Sequence, residues 1–357
     1  MTLPDRIARL LRSDVQGMHA YAVQPSAGLV KLDAMENPHR LSAQLQRELG
    51  ERLGAVALNR YPGGRIEELK QALRQHARLP AGFDLVLGNG SDELISLLAM
   101  ACDVPGATVL APAPGFVMYG MSAQLQGLKF VPVDLTPDFE LDERAMLAAI
   151  AQHKPSIIYL AYPNNPTANL WDDGVIERIV EAAPGLVVID EAYQPFASRS
   201  YIDRLARHDH VLLMRTLSKF GLAGVRIGYM MGPEQLVAQV DKVRPPYNVS
   251  VLNAEAALFA LEHADVFDEQ AAQLRSERTK LLAALAGMSR LKAWRSDANM
   301  VLVRVPDADR AFEGMKSRGV LVKNVSRMHP LLANCLRLTV GTADENAQML
   351  AALQASL

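Results

Sequence analysis

The segment Arg215-Thr216-Leu217-Ser218-Lys219-Phe220-Gly221-Leu222-Ala223-Gly224-Val225-Arg226 lies between two apolar runs, residues 211–214 and 225–231. Short, continuous apolar runs are typical of strands that are buried on both faces. Polar residues between two such strands lie at the end of a sheet, where ligands bind in open α/β folds. Lys219 is therefore a candidate for Schiff-base chemistry, because burial and neighbouring cations lower the pKa of a lysine amine. The alternative is an exposed loop lysine, which is the commonest environment for this residue.

Strand-like and helix-like patterns alternate from residue 84 to residue 232. The strand-like runs are residues 85–87, 108–110, 130–133, 157–160, 186–189, 211–214 and 225–231. Helical patterns lie between several of them, at residues 91–102, 142–152 and 173–183. This alternation predicts an α/β fold with a mainly parallel, seven-stranded sheet that is covered by helices on both faces.

The proline pair Pro245-Pro246 predicts a domain boundary, because proline ends a helix. Two long helical patterns follow it, and then strand-like runs at residues 300–305, 320–323 and 336–340 alternate with helical patterns at 307–318 and 344–357. We therefore expect a large α/β domain over residues 39–245. Residues 1–38 and 246–357 are expected to form a smaller α+β domain.

The composition is that of a globular protein with 357 residues, half of them apolar, and a net charge of −2. Its basic residues are scattered, which argues against a nucleic-acid or membrane-surface partner. The two cysteines give neither a disulfide framework nor a metal-ligand spacing, so we expect no metal site and a cytoplasmic protein. Residues 1–13 have the pattern of an amphipathic helix and lack the apolar core of a signal peptide.

Two strand-to-helix turns are candidate ligand sites. Gly90, Ser91 and Asp92 open a helix whose free N-terminal amides could bind an anion, although a simple helix cap by Ser91 is the alternative. Phe116 follows the next turn and could stack on a flat ring. Alternatively, Phe116 is a core residue of the helix that follows.

Asn165 and Asp190 each follow a strand-like run. The side-chain amide of Asn165 could point at a ligand from the carboxyl end of its strand, and an ordinary turn is the alternative. A carboxylate such as Asp190 is costly to bury without a positive partner. A protonated pyridine nitrogen or a structural arginine would each supply that partner. Tyr193 lies three residues further on and could reach the same site.

Two arginines are candidate anion ligands. Arg226 follows the glycine pair after Lys219 and could grip a phosphate with two parallel hydrogen bonds. Arg337 lies in the strand-like run 335–341, on the face opposite Leu336 and Leu338. The alternative for Arg337 is an edge-strand charge on a solvated face.

Taken in chain order, these motifs resemble those of the fold-type I pyridoxal-phosphate aminotransferases, and most closely those of the histidinol-phosphate aminotransferase family. The resemblance extends from about residue 32 to residue 341. It is strongest in Tyr162-Pro163-Asn164-Asn165-Pro166-Thr167, Asp190-Glu191-Ala192-Tyr193, Thr216-Leu217-Ser218-Lys219, residues 221–226 and residues 335–341.

The resemblance implies pyridoxal 5'-phosphate as the cofactor and gives each candidate residue a role. Lys219 would form the internal aldimine and carry protons, and Asp190 would keep the pyridine nitrogen protonated. Asn165 and Tyr193 would bind the phenolic oxygen of the cofactor, and Phe116 would stack on its ring. The cofactor phosphate would be held around Gly90, Ser91, Asp92, Thr216, Ser218 and Arg226.

The resemblance also implies a substrate and a partner. Arg337 would bind the acidic group of the substrate, which in this family is a phosphate, with help from Tyr21, Glu36, Asn324 and Arg327. Tyr61 would reach the cofactor phosphate of a neighbouring subunit, so a homodimer is expected. The expected ping-pong reaction of histidine biosynthesis converts L-histidinol phosphate and 2-oxoglutarate into imidazole acetol phosphate and L-glutamate.

Other enzymes with the same cofactor remain as alternatives, namely an aromatic or broad-specificity aminotransferase and a phosphoamino-acid decarboxylase. The chain departs from the family pattern at Phe116, where tyrosine is usual, and at Met35, where asparagine is common. Ala168 stands where glycine is usual. Met35 bears most directly on the choice of substrate.

Overall fold

The computed structural model describes residues 1–18 and 24–357. Its strands are, in chain order, β1 (Val30–Lys31), β2 (Phe83–Gly88), β3 (Thr108–Ala113), β4 (Lys129–Asp134), β5 (Ile157–Ala161), β6 (Leu186–Asp190), β7 (Val211–Thr216), β8 (Gly228–Pro233), β9 (Lys292–Ala293), β10 (Met300–Arg304), β11 (Val320–Leu321), β12 (Lys323–Asn324) and β13 (Cys335–Thr339).

The α-helices are α1 (Leu3–Leu10), α2 (Ser13–Gln16), α3 (Ala43–Gly54), α4 (Arg65–Ala77), α5 (Ser91–Ala101), α6 (Met118–Gln126), α7 (Glu143–His153), α8 (Asp173–Ala182), α9 (Glu234–Asp241), α10 (Val251–Glu262), α11 (Ala264–Ala286), α12 (Ala308–Ser317) and α13 (Ala343–Gln354). Shorter helical turns cover Gln194–Phe196, Ile202–Arg207, Ser218–Leu222, Ala223–Val225 and Pro330–Leu332. In the described parts of the chain, no helix is both long enough and apolar enough to cross a membrane.

Within the described residues, seven strands form a large sheet in the order β2-β8-β7-β6-β5-β3-β4. The pairs from β7 through β4 are parallel, whereas β8 is antiparallel to both β7 and β2. Every residue of β5 and β7 is buried, as expected for strands with helices on both faces. The predicted seven-stranded, mainly parallel sheet is confirmed.

Alternate residues of the central strands belong to separate cores on the two faces of the sheet. In β6, Val187 and Ile189 pack in one core and Val188 packs in the other. This alternation follows from the two-residue period of a strand. Because both faces are filled with apolar side chains, the ends of the strands are left for polar residues.

A second, smaller sheet has the order β12-β13-β10-β9 and is antiparallel throughout. The run predicted as one strand at residues 320–323 is divided between β11 and β12, because β11 pairs with β1 and β12 pairs with β13. Leu32, next to β1, is buried in the same core as β10 and β13. The segment that leads to Met35 is thereby fixed on the smaller sheet.

The helices after the proline pair are divided between the two sheets. Helix α10 buries Ala254, Ala257 and Leu258 in the core of the large sheet, whereas α11 contributes Leu274 and Leu281 to the core of the small sheet. The predicted domain boundaries at residues 38/39 and 245/246 stay a prediction.

Candidate active site

A cavity of about 360 Å³ opens at the carboxyl ends of β5, β6 and β7. Residues 34–36 form its opposite wall. It brings together most of the predicted site residues, which come from six separate segments of the chain: Glu36, Ser91, Asp92, Phe116, Asn165, Asp190, Tyr193, Thr216, Ser218, Lys219 and Arg226. The edge at which parallel strands end is the expected place for a ligand in an open α/β sheet.

Lys219 lies in a π-helical turn, Ser218–Leu222, directly after β7. Its Nζ donates a hydrogen bond to the carbonyl oxygen of Ala34 at 2.9 Å. Burial, followed by the charge of nearby Arg337, lowers the pKa of Lys219 from 10.5 to about 8, although Glu36 opposes the shift. The alternative of an exposed loop lysine is therefore wrong.

Asp190 is the last residue of β6 and is 4% exposed. Its Oδ2 accepts a hydrogen bond from the hydroxyl of Tyr119 at 2.6 Å, and its Oδ1 accepts one from the backbone N–H of Ala192 at 3.0 Å. Burial raises the pKa of Asp190 to about 6, although both hydrogen bonds favour the ionised form.

A structural arginine was one of the two partners that the sequence left open for Asp190, but the nearby Arg215 pairs with the adjacent carboxylate instead. Arg215 makes a 2.9 Å ion pair with Glu191, whose side chain is fully buried. Among the residues that the structure describes, Asp190 has no ion pair. A carboxylate with two hydrogen-bond donors and no cation can receive a positively charged ring nitrogen.

The turn before α5 is close to Arg226 because Gly90 has no side chain. Gly90 adopts a φ of 82°, and a Cβ there would lie 2.6 Å from Nη2 of Arg226. A Cβ on Gly228 would lie 2.6 Å from the backbone nitrogen of Ser91. Gly90 is the N-cap residue and no side chain caps the helix, so the predicted alternative of a Ser91 cap is wrong. The start of this helix therefore lies close to the guanidinium of Arg226.

The hydroxyl groups of Thr216 and Ser218 line the same cavity as Ser91, Asp92 and Arg226, and we call these five residues the polar corner of the cavity. Thr216 Oγ1 lies 3.0 Å from Ser218 Oγ and accepts the backbone N–H of Ser218 at 3.1 Å. Arg226 lies 3.6 Å from the carboxylate of Asp92. Hydroxyls, a guanidinium and helix N-terminal amides are the donors that bind phosphate groups.

Arg337 lies in β13, which is flanked by β12 and β10 and so is not an edge strand. The residue is 8% exposed. Its Nη1 donates to Oδ1 of Asn165 at 2.7 Å, and its Nη2 donates to the carbonyl oxygen of Asp33 at 2.7 Å. The alternative of a solvated edge charge is wrong, because Arg337 is directed at the loop that follows β5.

The aromatic wall of the cavity contains Tyr119 as well as the predicted Phe116. The two rings meet edge to face, with centroids 5.6 Å apart. Tyr119 also stacks on Tyr159 at 4.3 Å with an interplanar angle of 5°. The sequence analysis did not assign Tyr119 to the site, because its partner Asp190 lies 71 residues away along the chain.

Three of the predicted substrate residues, Asn324, Arg327 and Arg337, do not line this cavity, although Arg337 donates to the lining residue Asn165. The side chains of Asn324 and Arg327 are held on the surface by Asp309, at 2.7 and 2.9 Å. The structure therefore does not bring them to the site, against our expectation. Tyr61 is 75% exposed and stacks on Tyr247, and Tyr21 lies outside the described residues.

Two departures from the family pattern have left-handed backbone conformations. Met35 has a φ of 52° and Ala168 a φ of 65°. Asparagine and glycine adopt this region at lower cost than other residues, which explains why they are usual at these positions. The backbone of Met35 is nevertheless held in place, because its N–H donates to Thr339 Oγ1 and its carbonyl accepts from Asn299 Nδ2.

The family model described as aminotransferase class I and II matches residues 28–353. The chain belongs to this family.

Its relatives define a narrower group. The chain is 72% identical to the histidinol-phosphate aminotransferase of Polaromonas naphthalenivorans, covering 100% of this chain and 98% of that protein. It is 74% identical to the enzyme of the same name from Methylibium petroleiphilum, covering 99% and 96%. The predicted resemblance to the histidinol-phosphate aminotransferases is confirmed.

A solved structure supports the fold at lower identity. The histidinol-phosphate aminotransferase from Sinorhizobium meliloti, in complex with pyridoxal-5'-phosphate, matches with a TM-score of 0.82 at 24% identity, covering 96% of each chain. The predicted fold type I is thus confirmed.

Proposed function

We propose that the protein is a pyridoxal 5'-phosphate-dependent aminotransferase that moves the amino group between L-histidinol phosphate and 2-oxoglutarate. The products are imidazole acetol phosphate and L-glutamate. The observation that carries the chemistry is the meeting of Lys219, Asp190 and Arg226 around one cavity. Full-length identity of 72% to a histidinol-phosphate aminotransferase supports the choice of substrate.

The residues of the cavity fit the cofactor. A volume of about 360 Å³ is within the range of sites for small molecules. An amine, a buried carboxylate and a phosphate-binding corner face the same space, as the ends of a pyridoxal phosphate molecule require. When bound, the cofactor supplies a carbonyl that condenses with amines and a ring that withdraws electrons from the reacting carbon.

Lys219 is the nucleophile and proton carrier in this proposal. With a pKa of about 8, roughly a tenth of its side chains are neutral at pH 7, against well under a thousandth at the ordinary value of 10.5. The neutral amine can attack a carbonyl, and the same nitrogen can later take a proton from a substrate carbon and return it.

Asp190, Asn165 and Tyr193 hold the two polar edges of the ring. The ionised carboxylate of Asp190 accepts the ring N–H and keeps that proton in place. Asn165 and Tyr193 donate to the phenolic oxygen. Burial raises the pKa of Tyr193, so its hydroxyl keeps the proton that it donates.

The polar corner of the cavity would hold the phosphate end of the cofactor. The backbone amides at Ser91 and Asp92, after the turn at Gly90, donate to the phosphate together with Thr216, Ser218 and Arg226. Phe116 packs against the ring face. These contacts leave the reacting carbon near Lys219.

Arg337 binds the acidic group of each substrate in turn. A guanidinium pairs with the phosphate of histidinol phosphate and with a carboxylate of 2-oxoglutarate by the same geometry. One cation that serves both half-reactions is consistent with a ping-pong mechanism. Glu36, which lines the cavity and pairs with Lys31, would contact the remainder of the substrate.

A homodimer completes the site in this proposal. Tyr61 is exposed and does not line the cavity of its own chain, so its hydroxyl is available to the cofactor phosphate of a neighbouring subunit. Tyr21 remains a predicted substrate residue, whereas Asn324 and Arg327, which are bound to Asp309, are given no part in this proposal. A cytoplasmic location also remains a prediction from the cysteine content.

Absorption spectroscopy tests the proposed reaction. The purified protein should show a visible band from the bound cofactor that bleaches with histidinol phosphate and returns with 2-oxoglutarate. Faster bleaching with phenylalanine or tyrosine would favour the aromatic enzyme. Release of carbon dioxide from a phosphoamino acid would favour the decarboxylase.

A further inference from the structure

Tyr119 and Asp190 form a buried hydrogen bond that joins helix α6 to the end of strand β6. The hydroxyl of Tyr119 lies 2.6 Å from Oδ2 of Asp190. The two residues are 2% and 4% exposed. A phenol that donates to a carboxylate out of water makes a strong, charge-assisted hydrogen bond.

Packing fixes the position of the Tyr119 hydroxyl. The ring is stacked on Tyr159 and meets Phe116 edge to face, so rotation away from Asp190 would break both aromatic contacts. Burial and the charge of Asp190 raise the pKa of Tyr119 well above 10. The hydroxyl therefore remains protonated and acts as a donor at any working pH.

Asp190 requires such a donor, because burial alone favours its neutral form. Among the described residues, the hydroxyl of Tyr119 is the one hydrogen-bond donor to Oδ2, and the N–H of Ala192 is the one donor to Oδ1. A carboxylate oxygen accepts two hydrogen bonds. Both oxygens are thus oriented and still have capacity for the ring nitrogen of the cofactor.

We propose that Tyr119 is a positioning residue that holds Asp190 ionised and correctly oriented for the ring nitrogen of pyridoxal 5'-phosphate. This role rests on the proposed function. It adds Tyr119 to the cofactor site as a residue that acts through the carboxylate of Asp190. The other charged and titratable groups that act on Asp190 or share its cavity are Glu36, Asp92, Tyr159, Glu191, Tyr193, Lys219 and Arg226.

Tyr119→Phe tests the proposal, and Tyr159→Phe is the matched control. Both changes remove one hydroxyl from the same stacked pair, but the hydroxyl of Tyr159 is buried with no hydrogen-bond partner within the described residues. The readout is the ¹⁵N NMR shift of ring-labelled pyridoxal phosphate in the holoenzyme, followed against pH. This shift reports directly on protonation of the ring nitrogen.

In Tyr119→Phe, we expect the ring-nitrogen shift near neutral pH to move toward that of an unprotonated pyridine, because Asp190 without its donor is a stronger base and takes the shared proton. We also expect about tenfold faster release of the cofactor, because a hydrogen bond to a charged group is lost. Tyr159→Phe should match the wild type in both measurements. A folded Tyr119→Phe protein with wild-type titration and release would overturn the proposal.

Two further comparisons keep the test decisive. In an Asp190→Asn background, Tyr119→Phe should add little, because Tyr119 acts through the carboxylate, and a full additional effect would contradict that. If phenylalanine at position 119 does not fold, Tyr119→His keeps a donor and Tyr119→Leu does not, so only the leucine variant should show the shift. A wild-type protein that binds no pyridoxal phosphate would instead refute the proposed function.

Discussion

Arg337 and Asn165 are joined by a 2.7 Å hydrogen bond from Nη1 to Oδ1. It connects the small sheet to the loop after β5 of the large sheet. Because Oδ1 of Asn165 accepts from the guanidinium, the Nδ2 group is left as the donor of this amide. The arginine that we assign to the substrate therefore also orients the amide that we assign to the cofactor.

Arg337→Lys should raise the KM of both histidinol phosphate and 2-oxoglutarate by about 10- to 100-fold, because lysine cannot form the paired hydrogen bonds of a guanidinium. The bond to Asn165 is weakened as well, so kcat should also fall. Steady-state kinetics with each substrate varied separately provides the measurement. Arg327→Lys, in a side chain held by Asp309 on the surface, should leave both KM values within about twofold. Unchanged KM values in Arg337→Lys would exclude the assigned role.

The reactivity of Lys219 should depend on pH in a defined window. Its pKa is lowered to about 8, so the neutral amine increases about tenfold per pH unit below pH 8 and levels off above it. The rate at which cofactor-free protein recombines with pyridoxal phosphate should follow this curve, as measured by the growth of the visible band. Lys219→Ala should show no such band and lose turnover. A rate that keeps rising about tenfold per pH unit between pH 8 and pH 10 would contradict the lowered pKa.

The lowered pKa of Lys219 should also make the free energy of unfolding of the cofactor-free protein depend on pH. Between pH 8 and pH 10.5 the unfolded chain binds a proton at Lys219 that the folded chain does not. Raising the pH through this window should therefore increase the contribution of Lys219 to the free energy of unfolding of the cofactor-free protein. Denaturant titrations of the wild type and Lys219→Met across the window isolate this contribution, and parallel pH dependences of the two proteins would contradict it.

Gly90→Ala should weaken cofactor binding by displacing Arg226. The new Cβ would lie 2.6 Å from Nη2 of Arg226. Gly106→Ala is a matched control, because Gly106 has a φ of 83° and a Cβ there would meet nothing within 4 Å. Both variants should lose stability, because alanine disfavours a positive φ, and the loss should be about 1 kcal/mol or more. It should be larger at Gly90, whose φ of 82° and ψ of 172° lie in a region that glycine almost alone adopts. Only Gly90→Ala should raise the dissociation constant of pyridoxal phosphate, and equal dissociation constants in the two variants would refute the close approach.

The proposed use of Tyr61 by a neighbouring subunit can be tested by mixing two defective proteins. Tyr61→Ala and Lys219→Ala homodimers would each carry the defect in both sites. In a mixed dimer, one site would contain both changes and the other would have both native residues. Refolding an equal mixture should therefore restore about a quarter of the wild-type activity, since half of the dimers are mixed. Activity no higher than the average of the two parents would place Tyr61 in the site of its own chain.

The buried ion pair beside Asp190 should contribute to stability far more than a surface pair. Glu191 and Arg215 are 0% and 8% exposed in their side chains, whereas Asp173 and Arg199 are 36% and 45% exposed. Removing one partner of a buried pair costs about 3–5 kcal/mol, and removing one from an exposed pair costs about 0–1 kcal/mol. Urea unfolding of Arg215→Met and Arg199→Met compares the two, and similar losses would contradict the difference in burial.

Local sequence patterns were sufficient to predict most of the strands of the large sheet. Its seven strands overlap the predicted apolar runs, because a strand that is buried on both faces must be apolar along its length. The run predicted at residues 225–231 was wrong at its start, since Val225 belongs to a helical turn and β8 begins at Gly228. Asn165, Asp190 and Lys219 could be assigned to one end of that sheet for the same reason. Each directly follows a strand, and parallel strands end at one edge.

Other relationships depend on contacts between residues that are distant in the chain. The single strand predicted at residues 320–323 is two strands in the structure, because residues 320–321 pair with β1 and residues 323–324 pair with β13. Asn324 and Arg327 form hydrogen bonds with Asp309, although the family resemblance implied a place in the substrate site. Nothing in the local sequence around them distinguishes these outcomes, since each depends on which surface the fold presents nearby.

The sequence by itself determined the class of chemistry, because the lysine, the carboxylate and the anion-binding turn each follow a strand within a few residues. Only the tertiary structure decided that Tyr119 supports Asp190 and that Arg337 orients Asn165, across 71 and 172 residues of chain. The physical reason is that a hydrogen bond requires its donor within about 3 Å of the acceptor, a distance set by sheet order and helix packing. The types of side chain and their spacing along the chain do not determine that distance.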